Sequence, residues 1–529
     1  MKKKLIILAT LITIAFSGTI SSSFVWDDHG YIEYRDEMPD PSIKNILNGT
    51  HPIKNTGVYR PVRNLLYPIT HVFFKTNPTP YHVLILLIHI ANTFLVLKIS
   101  QKITNNNTAS FVTSLIFALH PIHTEPIAWI TAGFDLFSVL FYLMSLLFFI
   151  RKEDKESNYM WSMIFGFLSI FSNETSSTLP ITLFLYEALF NKGFKISNTF
   201  KKVYPYITML GIFWLIRSQS ITVFAEEKGG VYDNIFQSAV LVLFLFGQYI
   251  KLLILPLNLS VDRYFFPRLT GYFATNYGGD EAISSLNIYN PDVWQNILLV
   301  ILWTVGLFFA RRKSKKIFFS LLFIFIGLIP VIQIIPIYTI FTERYAYLSS
   351  LGFSLIAGIL ISKLFSIKKA KIATKLLLIS LLGSYFFIIS QRIPDWKNDL
   401  TLFNKTIAQN PESTSALNAL GVYYDNLKKP TLALYYFEEA YSQAPHVYTY
   451  QKNALRASLK AGEFNEALDY INKILEDQPD AVDLLVMSAK IYEGGGDFDR
   501  ARENYLKALE YVPDNEDVRF ALEKIDEDN

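Results

Sequence analysis

Two adjacent carboxylates, Asp27 and Asp28, follow the first apolar run of the chain in the stretch Phe24-Val-Trp-Asp27-Asp28-His29-Gly30-Tyr31. About one helical turn beyond a membrane span, such a pair lies at headgroup depth, level with the phosphate of a lipid-linked sugar donor. There one carboxylate can take the proton of an acceptor hydroxyl while the other, or a metal, orients the nucleophile. Acidic pairs in loops more often serve as hydration sites, helix caps or turns, so this pair gains its weight from the company it keeps.

That company is one-sided. Arg60, Arg63, His71, His120, His123, Glu125, Asp262, Arg263, Glu343 and Arg344 all fall in connections on the same side of the membrane as Asp27. Guanidinium groups suit phosphate because their fixed donors match its oxygens in pairs. Arg60 or Arg63, in Tyr59-Arg60-Pro61-Val62-Arg63-Asn64, and Arg263, in Val261-Asp262-Arg263-Tyr264, are therefore candidate phosphate partners. Headgroup snorkelling and local salt bridges are the plainer alternatives. His120-Pro121-Ile122-His123-Thr124-Glu125 supplies metal-binding residue types, but without the spacing of a helical zinc site, so a hydrogen-bonded loop brace is favoured over a metal there. Asp135 is costly in lipid unless it meets a cavity or partner. Glu174 sits in the polar turn Ser172-Asn173-Glu174-Thr175, while His82, His89 and Asn92 at near-helical spacing suit packing between helices.

The elements that must hold these groups are membrane helices. The chain has 529 residues, 51% hydrophobic and 15% aromatic, with a mean hydropathy of +0.26. That is more apolar surface than a water-soluble fold could cover. Runs long enough to cross, or nearly cross, about 30 Å of hydrocarbon lie near 4–22, 81–99, 109–128, 132–150, 158–173, 175–190, 203–222, 236–257, 294–310, 317–337, 345–365 and 373–391. Lysines and arginines gather at Lys98 to Lys102, Arg151 to Lys155, Lys192 to Lys202, Arg311 to Lys316 and Lys363 to Lys375. The positive-inside rule makes those connections cytoplasmic and puts 23–80, 120–131, 258–293 and 338–344 opposite. Segments 203–222 and 236–257 then cannot both be simple spans, and Lys251 and Pro256 make the second the weaker, which leaves about eleven. Residues 1–22 read as a retained first span rather than a cleaved leader. Cysteine is absent, which excludes a thiol nucleophile and iron–sulfur chemistry. A formal charge of +3 offers no basic field for nucleic acid.

From Asp395 the composition turns mixed and charged, and it repeats every 34 residues: Ala433, Ala467 and Ala501, then Pro445, Pro479 and Pro513. With Leu417, Leu420, Gly421, Tyr424, Phe437 and Ala440, the first unit matches the tetratricopeptide pattern. About three such units are expected over 395–529, ending in an acidic cap or tail at Glu523 to Asp528 and suited to presenting an acceptor or partner peptide. The membrane domain is expected over 1–394.

Taken in order, Phe24-Val-Trp-Asp-Asp28, Tyr59-Arg-Pro61, Asn77-Pro78 with Tyr81-His82 and His89, Ala118-Leu-His-Pro-Ile-His-Thr-Glu125, Asn173-Glu174-Thr175, Leu255-Pro-Leu-Asn-Leu-Ser-Val-Asp262 and Glu343-Arg344-Tyr345-Ala346-Tyr347-Leu348 resemble the transmembrane and tetratricopeptide repeat-containing (TMTC) proteins. These are protein O-mannosyltransferases of the GT-C membrane glycosyltransferase class. The resemblance implies an all-α architecture, a GT-C core of about eleven spans followed by an α-solenoid. It also implies a polyprenyl-phosphate-linked sugar as donor and inversion at the sugar carbon, with Asp27 or Asp28 as base and Asp27 preferred. Two departures stand out: Asn173-Glu174 where a Lys-Glu pair is expected, and a short repeat array.

The expectation is transfer of a hexose, with mannose the named candidate, to a Ser or Thr hydroxyl of an acceptor protein on the non-cytoplasmic side, the periplasm or exterior if the source is bacterial. Asp27 and Asp28 would be catalytic; Arg60, Arg63, His120, His123, Glu125, Glu174, Asp262, Arg263, Glu343 and Arg344 would bind donor phosphate or substrate. No metal ligands are assigned, and a divalent cation is left open. The competing class is a non-catalytic membrane scaffold that works through its repeats; it would bind no lipid phosphate and would tolerate changes at Asp27.

Overall fold

In the computed structural model, the residues described are 2–33, 42, 45, 59–152, 155–220, 235–262, 264–266, 269–270, 291–334, 339–445 and 447–528. They fall into two compact units, Met1–Pro411 and Glu412–Asn529.

The first unit is a helix bundle whose order follows local chemistry. Asn77 accepts the amide of Thr79 and Pro78 occupies the first turn, so a long helix starts at Pro78 and runs to Thr104. Asn105, in the left-handed conformation (φ 49°, ψ 36°), stops it, and Asn106 caps the next helix, Asn107–Ala118, through the amides of Thr108 and Ala109. Two asparagines thus make the whole turn. Among the described residues, five helical stretches are long and apolar enough to cross a bilayer: Lys2–Ser21, Pro78–Thr104, Ile130–Ile150, Pro291–Lys313 and Lys368–Trp396. Asn107–Ala118, Ser238–Ile254 and Ser350–Ser366 are apolar but shorter.

Small and hydroxyl residues bring these helices together, as expected where lipid removes the hydrophobic drive between them. A Cβ on Gly358 would lie 2.2 Å from Thr113 Oγ1 and 2.7 Å from the Ala109 carbonyl, so helix Ser350–Ser366 touches Asn107–Ala118 backbone to backbone. Ser145 and Ser162 each donate to the other's carbonyl at 2.8 Å, and the Tyr206 hydroxyl donates to Ser162 Oγ at 2.7 Å.

Several expected spans are trimmed. The run 109–128 ends as a helix at Ala118, because Pro121 lacks an amide donor; a 3₁₀ turn over Pro121–His123 and the short helix Thr124–Ala128 follow. The run 175–190 becomes a 3₁₀ turn, Glu174–Thr178, before helix Leu179–Phe190. Both 203–222 and 236–257 fold as helices, Ile196–Ser220 and Ile235–Ile254, the second ending before Pro256. The strands described are a short antiparallel pair, Tyr264–Phe266 with Leu269–Thr270.

The soluble composition begins before the packing boundary. Helix Asp399–Gln409 belongs to the first unit, with Leu402 and Phe403 buried. The second unit has three helix pairs: Thr414–Asn426 with Pro430–Gln443, Tyr448–Ala461 with Phe464–Asp477, and Val482–Gly494 with Phe498–Tyr511. Ala433, Ala467 and Ala501 are fully buried where the helices of a pair meet, and Gly421 leaves room for the Phe437 ring. The acidic end is a capping helix, Glu516–Asp528, that buries Val518, Leu522 and Ile525.

Candidate functional site

The acidic loop is pinned residue by residue. Asp28 is fully buried: its Oδ1 accepts the Thr131 amide (2.7 Å) and hydroxyl (2.6 Å), and its Oδ2 accepts the Val25 amide (3.1 Å). Burial pushes its carboxyl up to about 7, against the pull of those hydrogen bonds. Trp26, between the two anchored positions, takes a left-handed backbone (φ 54°) that non-glycine residues seldom adopt. Asp27 is partly buried, under the influence of Arg344 and Arg63. Burial raises its pKa, and the two arginines oppose the rise. A carboxylate with a raised pKa is a better proton acceptor than an ordinary one.

Arg63, one of the two arginines acting on Asp27, belongs to a ring of alternating charges. Arg60 grips Glu174 with two parallel bonds of 2.7 Å, Nε to Oε2 and Nη2 to Oε1, and reaches Asp135 Oδ1 with Nη1 at 3.2 Å. Arg63 Nη1 donates to the same Asp135 oxygen at 3.1 Å, and its guanidinium stands 5.7 Å from the Tyr67 ring and 5.8 Å from that of Tyr31. Arg217 approaches Glu174 at 3.8 Å. Against its burial, Arg60 holds the Glu174 carboxyl far below the usual range. Asp135, costly in lipid on sequence grounds, finds its partners here.

Arg344 closes the other side. It donates to Glu125 Oε1 at 2.6 Å, and its guanidinium lies 4.9 Å from the centre of the Trp129 ring. Glu125 also takes the Thr342 hydroxyl (2.6 Å) and the Glu343 amide (3.1 Å), so one carboxylate shapes the turn that carries Arg344. Glu343, fully buried, accepts the Ser260 amide at 2.6 Å, which ties in the segment ending at buried Asp262.

These contacts join Arg60, Arg63, Asp135 and Glu174 in one group and Glu125, Glu343 and Arg344 in another, with Asp27 under the charge of one arginine from each and Asp28 held by Thr131 and Val25. His120 and His123 point elsewhere. Nε2 of His120 donates to the Leu253 carbonyl (3.0 Å) and its Nδ1 accepts the Ile122 amide (3.3 Å); His123 Nε2 meets Ser350 Oγ at 2.9 Å. Both rings are fully buried braces, and burial pushes the His120 pKa down to about 4. Among the described residues, no three His, Asp or Glu side chains are grouped so that they could hold a metal ion. Arg263 lies outside the described residues.

Sequence reasoning did not single out Thr131, Trp129 or Asp399. Trp129 stacks on Trp26 (5.3 Å, 11°) and on Trp396 (6.0 Å, 20°), forming a three-ring floor under the loop. Nothing local marks Thr131 or Asp399, since each meets the loop only across a long chain separation.

Residues 56–221 match the family model described as dolichyl-phosphate-mannose-protein mannosyltransferase, and residues 400–447 and 453–516 match that of the tetratricopeptide repeat. The human protein O-mannosyl-transferase TMTC3 is 22% identical over 489 residues, covering 83% of this chain and 51% of that protein. The Caenorhabditis elegans protein O-mannosyl-transferase F38B6.6 is 21% identical over 448 residues, covering 79% and 59%. A shorter stretch of 144 residues, 26% of the chain and 17% of its relative, is 32% identical to mouse protein O-mannosyl-transferase TMTC2. The chain spans between about half and three-fifths of the length of the first two. With a mannosyltransferase-type segment in its helical bundle, tetratricopeptide repeats later in the sequence and these relatives along most of its length, the chain is similar to the TMTC proteins.

Proposed function

We propose that the chain is a membrane protein O-mannosyltransferase of the GT-C type, moving mannose from a polyprenyl-phosphate carrier to a Ser or Thr hydroxyl on the non-cytoplasmic side. The observation that carries this reading is the contrast between neighbours. Asp28 is spent on three hydrogen bonds, whereas Asp27 is partly buried under the charges of Arg344 and Arg63. Asp27 takes the hydroxyl proton as the oxygen attacks the anomeric carbon. The bond from that carbon to the phosphate oxygen breaks, and the lipid phosphate leaves with the bond's electrons. Direct displacement inverts the sugar carbon.

Charge builds on the departing phosphate, so a cation already fixed beside it lowers the barrier. Arg63 and Arg344 suit that task through their reach towards Asp27, while Arg60, committed to Glu174 and Asp135, suits the task of holding the ring together. Loss of one phosphate-binding arginine is expected to cost about 3 kcal/mol, or ~100-fold in rate. The membrane part, expected over 1–394, does the chemistry in this reading, and the repeats present the acceptor or a partner.

The test is transfer from a synthetic polyprenyl-phosphate mannose to an acceptor peptide in vesicles, with Asp27→Asn beside the parent chain. A loss of about 100-fold or more is expected for a removed general base. Parental rates in Asp27→Asn would end the assignment.

A further inference from the structure

The acidic loop is not self-supporting. On its Asp28 side it hangs on Thr131; on the other it hangs on a residue more than 360 positions away in sequence. Asp399 Oδ1 accepts the Trp26 amide at 2.8 Å, and Asp399 Oδ2 meets His29 Nε2 at 2.8 Å. The second ring nitrogen of His29 pairs with Glu33. Positions 25, 26, 28 and 29 are therefore all held by side-chain hydrogen bonds, and Asp27 lies between them.

The carboxylate of Asp399 is itself fixed. It belongs to the first turn of helix Asp399–Gln409, where Asn398 and Thr401 form a reciprocal capping box. Phe403, one turn further on, sets its ring against Trp26 (5.6 Å, 75°). At the far end of the helix, Gln409 donates to the Leu259 carbonyl at 3.4 Å, next to the Ser260 amide that Glu343 holds. One short helix thus holds both the loop that carries Asp27 and the Leu259–Ser260 segment that Glu343 bonds.

We infer that Asp399 is a positioning residue for the Asp27 carboxylate, keeping Trp26 in its left-handed conformation so that Asp27 faces the arginines. This rests on the reading of Asp27 as the base. A base displaced by about an ångström can lose ~100-fold in rate without losing its substrate. The Asp399 contribution therefore belongs in kcat rather than in KM.

Two measurements on the full chain in vesicles or detergent test it, using Asp399→Ala, Asp399→Asn and Asp399→Glu. First, hydrogen–deuterium exchange at the Trp26 amide should speed up at least tenfold in Asp399→Ala and stay near the parent in Asp399→Glu; unchanged exchange in Asp399→Ala overturns the clamp whether or not the chain transfers sugar. Second, in mannose transfer, Asp399→Ala should lower kcat tenfold or more with the donor KM within about twofold, with Asp399→Asn falling less and Asp399→Glu recovering most of the rate. An unaltered kcat overturns the inference. So does a parallel collapse of kcat, KM and thermal midpoint in both Asp399→Ala and Asp399→Asn, which would mark a general fold contact. A parent chain that transfers no mannose, while Trp26 exchange still responds to Asp399, fails the proposed reaction and leaves the clamp standing.

Discussion

Replacing Asp28 by alanine isolates the anchoring of the acidic loop from its chemistry. The Asp28 carboxylate is fully buried and accepts two backbone amides, from Val25 and Thr131, and the Thr131 hydroxyl. The hydroxyl can turn towards another acceptor, but the two amides cannot. Each buried donor left without a partner costs about 1–3 kcal/mol. The pair sums to about 2–6 kcal/mol, and the small void left by the carboxylate adds to it. Alanine at Asp27 should cost under about 1 kcal/mol, since burial raises the pKa of that carboxyl and Arg344 and Arg63 only partly offset the penalty on its charge. Denaturation of the purified chain in detergent, followed by tryptophan fluorescence, measures both.

A pH series adds an independent check on Asp28. Its carboxyl pKa rises from 3.8 in the unfolded chain to about 7 in the folded one. Between those values the folded state keeps a proton that the unfolded state releases, so stability falls as pH climbs from about 4 to 7. Asp28→Ala should lose that slope. An alanine variant within about 1 kcal/mol of the parent, or an equal loss at Asp27, would refute the division of labour between the two carboxylates.

Other contacts make equally specific demands. Arg60→Lys cannot reproduce the two-pronged bond to Glu174 together with the Asp135 contact, and should cost about 3 kcal/mol in detergent denaturation along with most of the transfer activity. Against its burial, Asp399 and Glu33 raise the His29 pKa to about 9, so its contribution is complete below pH 6.5 and lost as pH rises through about 9. The thermal midpoint should fall across that window in the parent and less steeply in His29→Gln. Gly358→Ala would drive a methyl group into Thr113 and the Ala109 carbonyl, separating two helices at a cost of about 1–3 kcal/mol that a denaturation curve would register.

Much of the architecture was legible because it rests on local signals. Hydrophobic runs, Asn77 and Asn106 as caps, and prolines at 34-residue spacing act within a few residues of themselves. The errors arose where a local signal was too coarse: the run 109–128 is apolar enough on average to read as one span despite His120, His123 and Glu125, yet Pro121 breaks it into a helix and a turn. His120 and His123 form the hydrogen-bonded brace favoured over a metal on their spacing, but a sequence cannot show which carbonyl or hydroxyl a ring will meet, here those of Leu253 and Ser350.

The residue types alone determined that this chain is a membrane helix bundle followed by helical repeats, and that carboxylates and arginines crowd its loops, because apolar runs and periodic small residues leave few other ways to cover themselves. Only the tertiary structure decided which acid is bound and which faces the arginines. Asp27 and Asp28 are chemically the same, and the difference between them comes from Thr131 and Asp399, partners that reach the loop only after the chain has folded.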